Sequence, residues 1–227
     1  MVSAGKVFKL REKLDLQTIT SKMKDFRLES SFDEEPLHTK LLTEIHDLDL
    51  KRERLGGVYS EDKIFYIFHH GERTPIPRTL ETPFSFVKHK EAILLIIMEK
   101  KLTANNIANK LSEALFVNSG CIVEAKIPPD DLKSFHEQNP ENTKIIFFDD
   151  VDIPNISKLS LYGSGLLNTA LYNEYSSHGN IWYIVMTSKS GNIVGITRNS
   201  VVTVFNNIDQ EGYLNFVINE VFPLLSL

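Results

Sequence analysis

The side chains best placed to do chemistry follow a run of β-formers. Ile64-Phe65-Tyr66-Ile67-Phe68 leads directly into His69-His70-Gly71-Glu72-Arg73-Thr74-Pro75. A neutral imidazole can attack phosphorus, while guanidinium forks neutralise the phosphoryl oxygens with paired N–H donors. The chemistry would be phosphate-ester hydrolysis. A second set ends the apolar run Ile145-Ile146-Phe147-Phe148 in Asp149, Asp150 and Asp152. Clustered carboxylates at a strand end offer oxygens to magnesium. Like charges there are also how a chain leaves a sheet for water. A third set, Cys121 to Lys126, closes a strand with Glu124-Ala125-Lys126.

The first segment resembles the Arg-His-Gly-x-Arg-x-Pro signature of the histidine acid phosphatases. The resemblance covers Phe68 to Pro75 and implies His70 as nucleophile and Arg73 as phosphate ligand. His69 stands where the signature has its first arginine, so a permanent bidentate donor is missing. The third segment resembles half of the PD-(D/E)xK nuclease signature, but no aspartate lies between Ala92 and Val123 to complete it. Tyr162-Gly163-Ser164-Gly165-Leu166-Leu167-Asn168 has asparagine at the last glycine of a dinucleotide fingerprint. The strand after it ends in Thr187-Ser188 rather than an acid. Ser3-Ala4-Gly5-Lys6 lacks the upstream glycine and the following hydroxyl of a phosphate-binding loop. The seven histidines show no metal-ligand spacing. No cofactor and no catalytic constellation is expected beyond the His70/Arg73 alternative.

Charge narrows the partners. Residues 1–118 hold 19 basic and 18 acidic side chains and residues 119–227 hold 6 and 12, balances of +1 and −6. Nucleic-acid binding over the whole surface would need a basic chain, so it could use only the first stretch. Lys6, Lys9 and Arg11 there, with Lys88 and Lys90, are its candidate contacts. Phe65, Tyr66, Phe68, Phe84 and Phe86 lie on strands near Lys88, His89 and Lys90, a spacing that permits base stacking, although core packing explains most of the same residues.

These side chains need elements to hold them. Asp15 caps a helix over 16–26, with Leu16, Ile19, Met23 and Phe26 on one face. A short strand, 7–11, precedes it. Leu37, Leu41, Ile45 and Leu48 predict a second helix, with a bent strand as the alternative. Gly56-Gly57 reads as a turn, and Pro75, Pro77 and Pro83 as a loop. Phe84 to Lys88 alternates, with one face buried and one wet. Ala92 to Met98 is a continuous apolar run of strand length. Thr103 can cap a helix through Phe116 with Ile107, Leu111 and Leu115 inward. Val117 to Gly120 reads as a joint. Beyond it come strand 121–127, a helix opened by Pro129, strands 144–148 and 158–162 and a helix over 166–175. Three strands follow (181–186, 192–197, 201–205), then a final helix capped by Asp209 and stopped near Pro223.

The fold class expected is α+β, in two halves of similar size, 1–118 and 119–227. Each half is largely antiparallel strands closed by a C-terminal helix. An internal duplication is possible, TATA-binding-protein-like by analogy of fold alone. The longest apolar run, Ala92 to Met98, is far below the ~20 residues of a membrane-spanning helix. The first residues lack the ~7–15-residue apolar stretch of a secretory signal, and Cys121 is the only cysteine, so a cytoplasmic setting is expected. The first functional expectation is a non-enzymatic binding protein whose partner is another protein or a second copy. A nucleic-acid-binding protein using the more basic half is the alternative, and a phosphate-ester hydrolase the second.

Overall fold

A computed structural model describes residues 2–116, 118, 120–138 and 142–226. Val117 and Ser119 of the expected joint lie outside them. Among the described residues there are twelve strands and five α-helices. The first part of the chain holds β1 (Ser3–Leu10), α1 (Leu16–Met23), β2 (Arg27–Glu34), β3 (Leu37–Leu50), β4 (Arg54–His69), β5 (Glu72–His89), β6 (Ala92–Ile97) and α2 (Lys101–Phe116). The second holds β7 (Ile122–Glu124), α3 (Pro129–Glu137), β8 (Thr143–Asp149), β9 (Leu159–Tyr162), α4 (Ala170–His178), β10 (Asn180–Thr187), β11 (Ile193–Thr197), β12 (Val201–Val204) and α5 (Gln210–Phe216). The class is α+β with antiparallel pairing.

The chain divides into two compact units. One comprises Met1–Lys9, Glu99–Ala104 and Val123–Leu227; the other comprises Leu10–Met98 and Asn105–Ile122. The second we call the hairpin unit. Its strands run in the order β2-β3-β4-β5-β6. α1 begins as its sequence predicts: the Asp15 carboxylate accepts from the Thr18 amide at 2.7 Å, and Leu16, Ile19 and Met23 are buried. α2 starts at Lys101, two residues before Thr103, and buries Ile107, Leu111 and Leu115.

Three segments of this unit are strand where turn, loop or helix is expected. Residues 37–48 form β3, not a helix. A four-residue spacing is also a two-residue period with every second position skipped, and the skipped ones are Thr39 and Thr43, β-branched and at ease on a sheet. Asp47, at φ 52°, sits in a register shift between His46 and Asp49 that puts Ile45 and Leu48 out of step. Gly56 and Gly57 lie inside β4 rather than at a turn. A Cβ on Gly57 would stand 2.7 Å from Phe84 Cζ and 2.9 Å from Leu48 Cδ2, so glycine is there to let β3 and β5 side chains meet over β4. Gly57→Ala should therefore destabilise the protein by about 1–3 kcal/mol through overpacking, read as a lower urea midpoint, whereas Gly56→Ala, with only Ser85 Oγ at 3.9 Å, should shift it far less. Pro75, Pro77 and Pro83 stand within β5, opposite Tyr66, Ile64 and Val58. Proline lacks an N–H, so a strand tolerates it where that N–H would face outward, away from its ladder. Around Phe84 and Phe86, both sides of the strand are covered: Ser85 and Val87 are buried as well.

The other unit orders its strands β1-β12-β11-β10-β8-β9, with β7 against β1. One sheet face is core: Ile146, Phe148, Ile184, Met186, Val194, Ile196, Val202 and Val204 are buried. α3 packs on β10, and the Tyr213 hydroxyl of α5 donates to Val202 O at 2.9 Å. Asp209 caps α5 by accepting from the Gly212 amide. The helix runs on through a π-helical turn, Val217–Val221, into a 3₁₀ turn at Pro223. The helix expected over 166–175 divides into a 3₁₀ turn at Leu166–Asn168 and α4, which Thr169 caps. No helix among the described residues is long and apolar enough to cross a membrane.

Candidate functional site

Beyond Glu61, β4 parts from β3. Thr43↔Glu61 is the last pair between them. The next amide of β3, Leu42 N–H, donates to the Asp62 side chain at 2.9 Å instead of to β4 backbone. The Thr79 hydroxyl donates to the other Asp62 oxygen at 2.6 Å. The two bonds, that from Thr79 first, hold the Asp62 carboxyl below its ordinary range. β5 meanwhile pairs with β6 only from Phe84 onward. Residues 61–80 of β4 and β5 thus form a two-stranded ribbon, paired with each other from Glu61↔Leu80 to His69↔Glu72. His70 at φ 48° and Gly71 at φ 84° close it in a two-residue turn, whose positive φ values suit the twist of a hairpin.

Alternation sorts the ribbon's side chains. Lys63, Phe65 and Ile67 share a face with Thr74, Ile76 and Arg78, while Tyr66 and Phe68 share the other with Pro75 and Arg73. Phe65, Ile67 and Phe68 are 39%, 53% and 73% exposed, an apolar group carried in water. Cations lie on the rings, not beyond them. The Arg73 guanidinium carbon is 3.5 Å from the Tyr66 ring centre, and that of Arg78 is 5.4 Å from Phe65. The Tyr66 hydroxyl donates to Glu34 at 2.9 Å, tying the ribbon to the neighbouring β2–β3 hairpin.

The structure thus places the first candidates on this ribbon. His70 is exposed at its tip, edge-on to His69 with ring centres 4.2 Å apart. Arg73 is held flat on Tyr66. Of the cationic candidates, Lys88 is exposed at the end of β5, and Lys90 stands at φ 53° in the β5–β6 turn. Arg11 is exposed. Lys9 reaches Ser226 O at 3.5 Å. Lys6 has no exposed surface, and its ammonium pairs with Glu124; burial lowers its pKa more than Glu124 raises it. Phe84 and Phe86 are core, edge-to-face at 5.8 Å, while Phe65, Tyr66 and Phe68 are on the ribbon.

The acidic strand end is divided between Arg198 and His178. Asp149 and Asp150 accept from Arg198 at 2.8 and 3.3 Å, and Asp152 accepts from His178 Nδ1 at 2.7 Å. Burial pushes the Asp149 carboxyl above its ordinary range despite Arg198. Asp149, Arg198, Trp182 and Lys101 border a cavity of about 210 Å³. Among the described residues, no group of three or more His, Cys, Asp or Glu side chains is placed to hold a metal ion.

The sequence reading missed that the ribbon stands apart from the other strands. Its signals were present: prolines at alternate positions of an apolar run, a His-Gly pair able to take positive φ, and Asp62 within an otherwise β-forming stretch. In a search against known proteins, no protein family matches the chain and no curated protein sequence matches it.

Proposed function

We propose that this is a protein-binding module that works through the β4–β5 ribbon, and that the partner it first engages is a second copy of itself. The observation that carries this reading is the apolar pair Phe65 and Ile67, exposed on one face of a strand whose edge past Glu61 has no ladder partner among the described residues. Such an edge is a template for another strand unless something blunts it. Charge agrees. Residues 61–80 carry three basic and three acidic side chains, too balanced to grip a phosphate backbone and suited to a like surface turned by a twofold axis. Two β4 edges meeting antiparallel would place Ile67 of each copy near Phe65 of the other, removing both from water.

The test is mass against concentration by light scattering. The wild-type mass should rise from 25.9 kDa toward twice that on concentration. Ile67→Lys should hold the chain at the monomer mass without altering its circular dichroism, because Ile67 is already half in water. A wild-type mass that stays monomeric at every concentration would remove the self-association reading.

A further inference from the structure

The hairpin unit carries a second feature, independent of the ribbon. The segment before α1, the β3–β4 turn and the end of the β5–β6 hairpin bound a cavity of about 610 Å³. That is within the ~300–1,000 Å³ of small-molecule sites. Local structure explains how its walls come together. The Lys88 amide donates to Glu53 O at 2.9 Å, drawing the end of β5 against the turn that carries Lys51 and Arg52. Lys88 stands directly opposite Ile93 in the ladder, so a cation and an apolar side chain share one face. Leu14, Leu16, Leu50 and Ile93 supply an apolar wall, and Leu50 is 41% exposed.

Five charged groups also line it: Lys51, Arg52, Lys88, Asp15 and Glu91. Two are engaged elsewhere. Lys51 pairs with Asp49 at 3.1 Å. Asp15 spends its carboxylate on the α1 cap, accepting from the Thr18 amide and hydroxyl at 2.7 and 2.9 Å. The remainder is Arg52 and Lys88, neither in an ion pair among the described residues, against Glu91. The Asp15 carboxylate keeps its charge while it caps, so among the five lining groups three cations face two carboxylates, a surplus of one positive charge beside an apolar wall. A guanidinium fork and an ammonium suit one carboxylate or phosphate head, and the leucines suit a hydrocarbon chain.

We infer that this cavity binds an amphipathic anion: one acyl or alkyl chain against Leu14, Leu16, Leu50 and Ile93, with its carboxylate or phosphate head held by Arg52 and Lys88. Neutralising the head offsets the desolvation of the two cations. The chain contributes about 0.8 kcal/mol for each methylene it buries.

Isothermal titration of the full chain tests this with sodium decanoate, decyl phosphate, decyltrimethylammonium and inorganic phosphate, each below its micelle concentration where it has one. Decanoate or decyl phosphate should bind saturably, one per chain, and at least tenfold more tightly than decyltrimethylammonium. Inorganic phosphate alone should give no heat. Arg52 and Lys88 are exposed, so Arg52→Gln with Lys88→Gln leaves the fold intact. That pair should weaken decanoate at least tenfold, and Leu50→Asp should weaken it similarly through the chain. Equal affinity for the cationic and anionic amphiphiles, binding of phosphate without a chain, or decanoate affinity unchanged in the double variant would each overturn the assignment.

Discussion

Between pH 6.5 and about pH 4 the protein should lose about 3 kcal/mol of stability as the pH falls, through His136 alone. His136 has no exposed surface in α3, and burial is the main cause that takes its pKa down from 6.5 to about 4. Glu137 opposes that shift and Lys133 adds to it. The hydrogen bonds show which form is folded. The Tyr172 hydroxyl donates to Glu137 at 2.8 Å, so it accepts from His136 Nε2 at 2.9 Å. His136 Nδ1 is buried and has no hydrogen-bond partner among the described residues. A proton there would be a charge without water or acceptor. Between the two pKa values the unfolded chain binds a proton that the folded one refuses, so stability rises with pH across that window and is flat below it. Urea unfolding followed at a series of pH values reads the slope. In His136→Phe the slope over this window should largely vanish, though neutral-pH stability also falls with the lost bond to Tyr172. A slope as steep in the variant as in the wild type would assign the acid sensitivity to other groups.

The second large effect separates two phenylalanines of similar sequence surroundings. Phe84→Ala should cost about 3–5 kcal/mol. Its ring is fully buried, lies edge-to-face on Phe86, and fills the space that Gly57 leaves. A cavity there is walled by strands on both sides and cannot collapse cheaply. Phe68→Ala, 73% exposed on the ribbon, should stay within about 0.5 kcal/mol in the monomer. Denaturant midpoints measured at high dilution compare them. Similar losses for the two would mean that the ribbon is packed rather than free.

The same pair shows what was legible beforehand. Both phenylalanines sit in β-forming runs, and alternation alone cannot say which run is crossed by other elements. The continuous apolar run at Ala92–Ile97, the Asp15 and Asp209 caps and the three closing strands were readable because each rests on local chemistry: hydropathy, a side-chain acceptor, a turn. β3 was misread because one register shift breaks its period where the leucines fall. Composition alone puts Lys6 on the surface with the other cations of the basic start of the chain. It is buried because β1 has β12 on one side and β7 on the other, and Glu124 of β7 meets its ammonium. That neighbour is set by contacts more than a hundred residues apart, which composition cannot report. The amphiphile cavity likewise gathers three segments distant in sequence, and only Lys88 among its cations stood out beforehand.

The prolines of β5 bear on how large any assembly through the ribbon can grow. Pro75 and Pro77 leave that strand without two of the donors that an incoming chain would need, while β4 keeps its own. A ribbon so built has one reactive side. Were two copies to join through β4, each would present only its capped side to solvent, and propagation would stop at the pair. Replacing the prolines would turn a chain terminator into a linear monomer with two growing ends, the condition for fibrils.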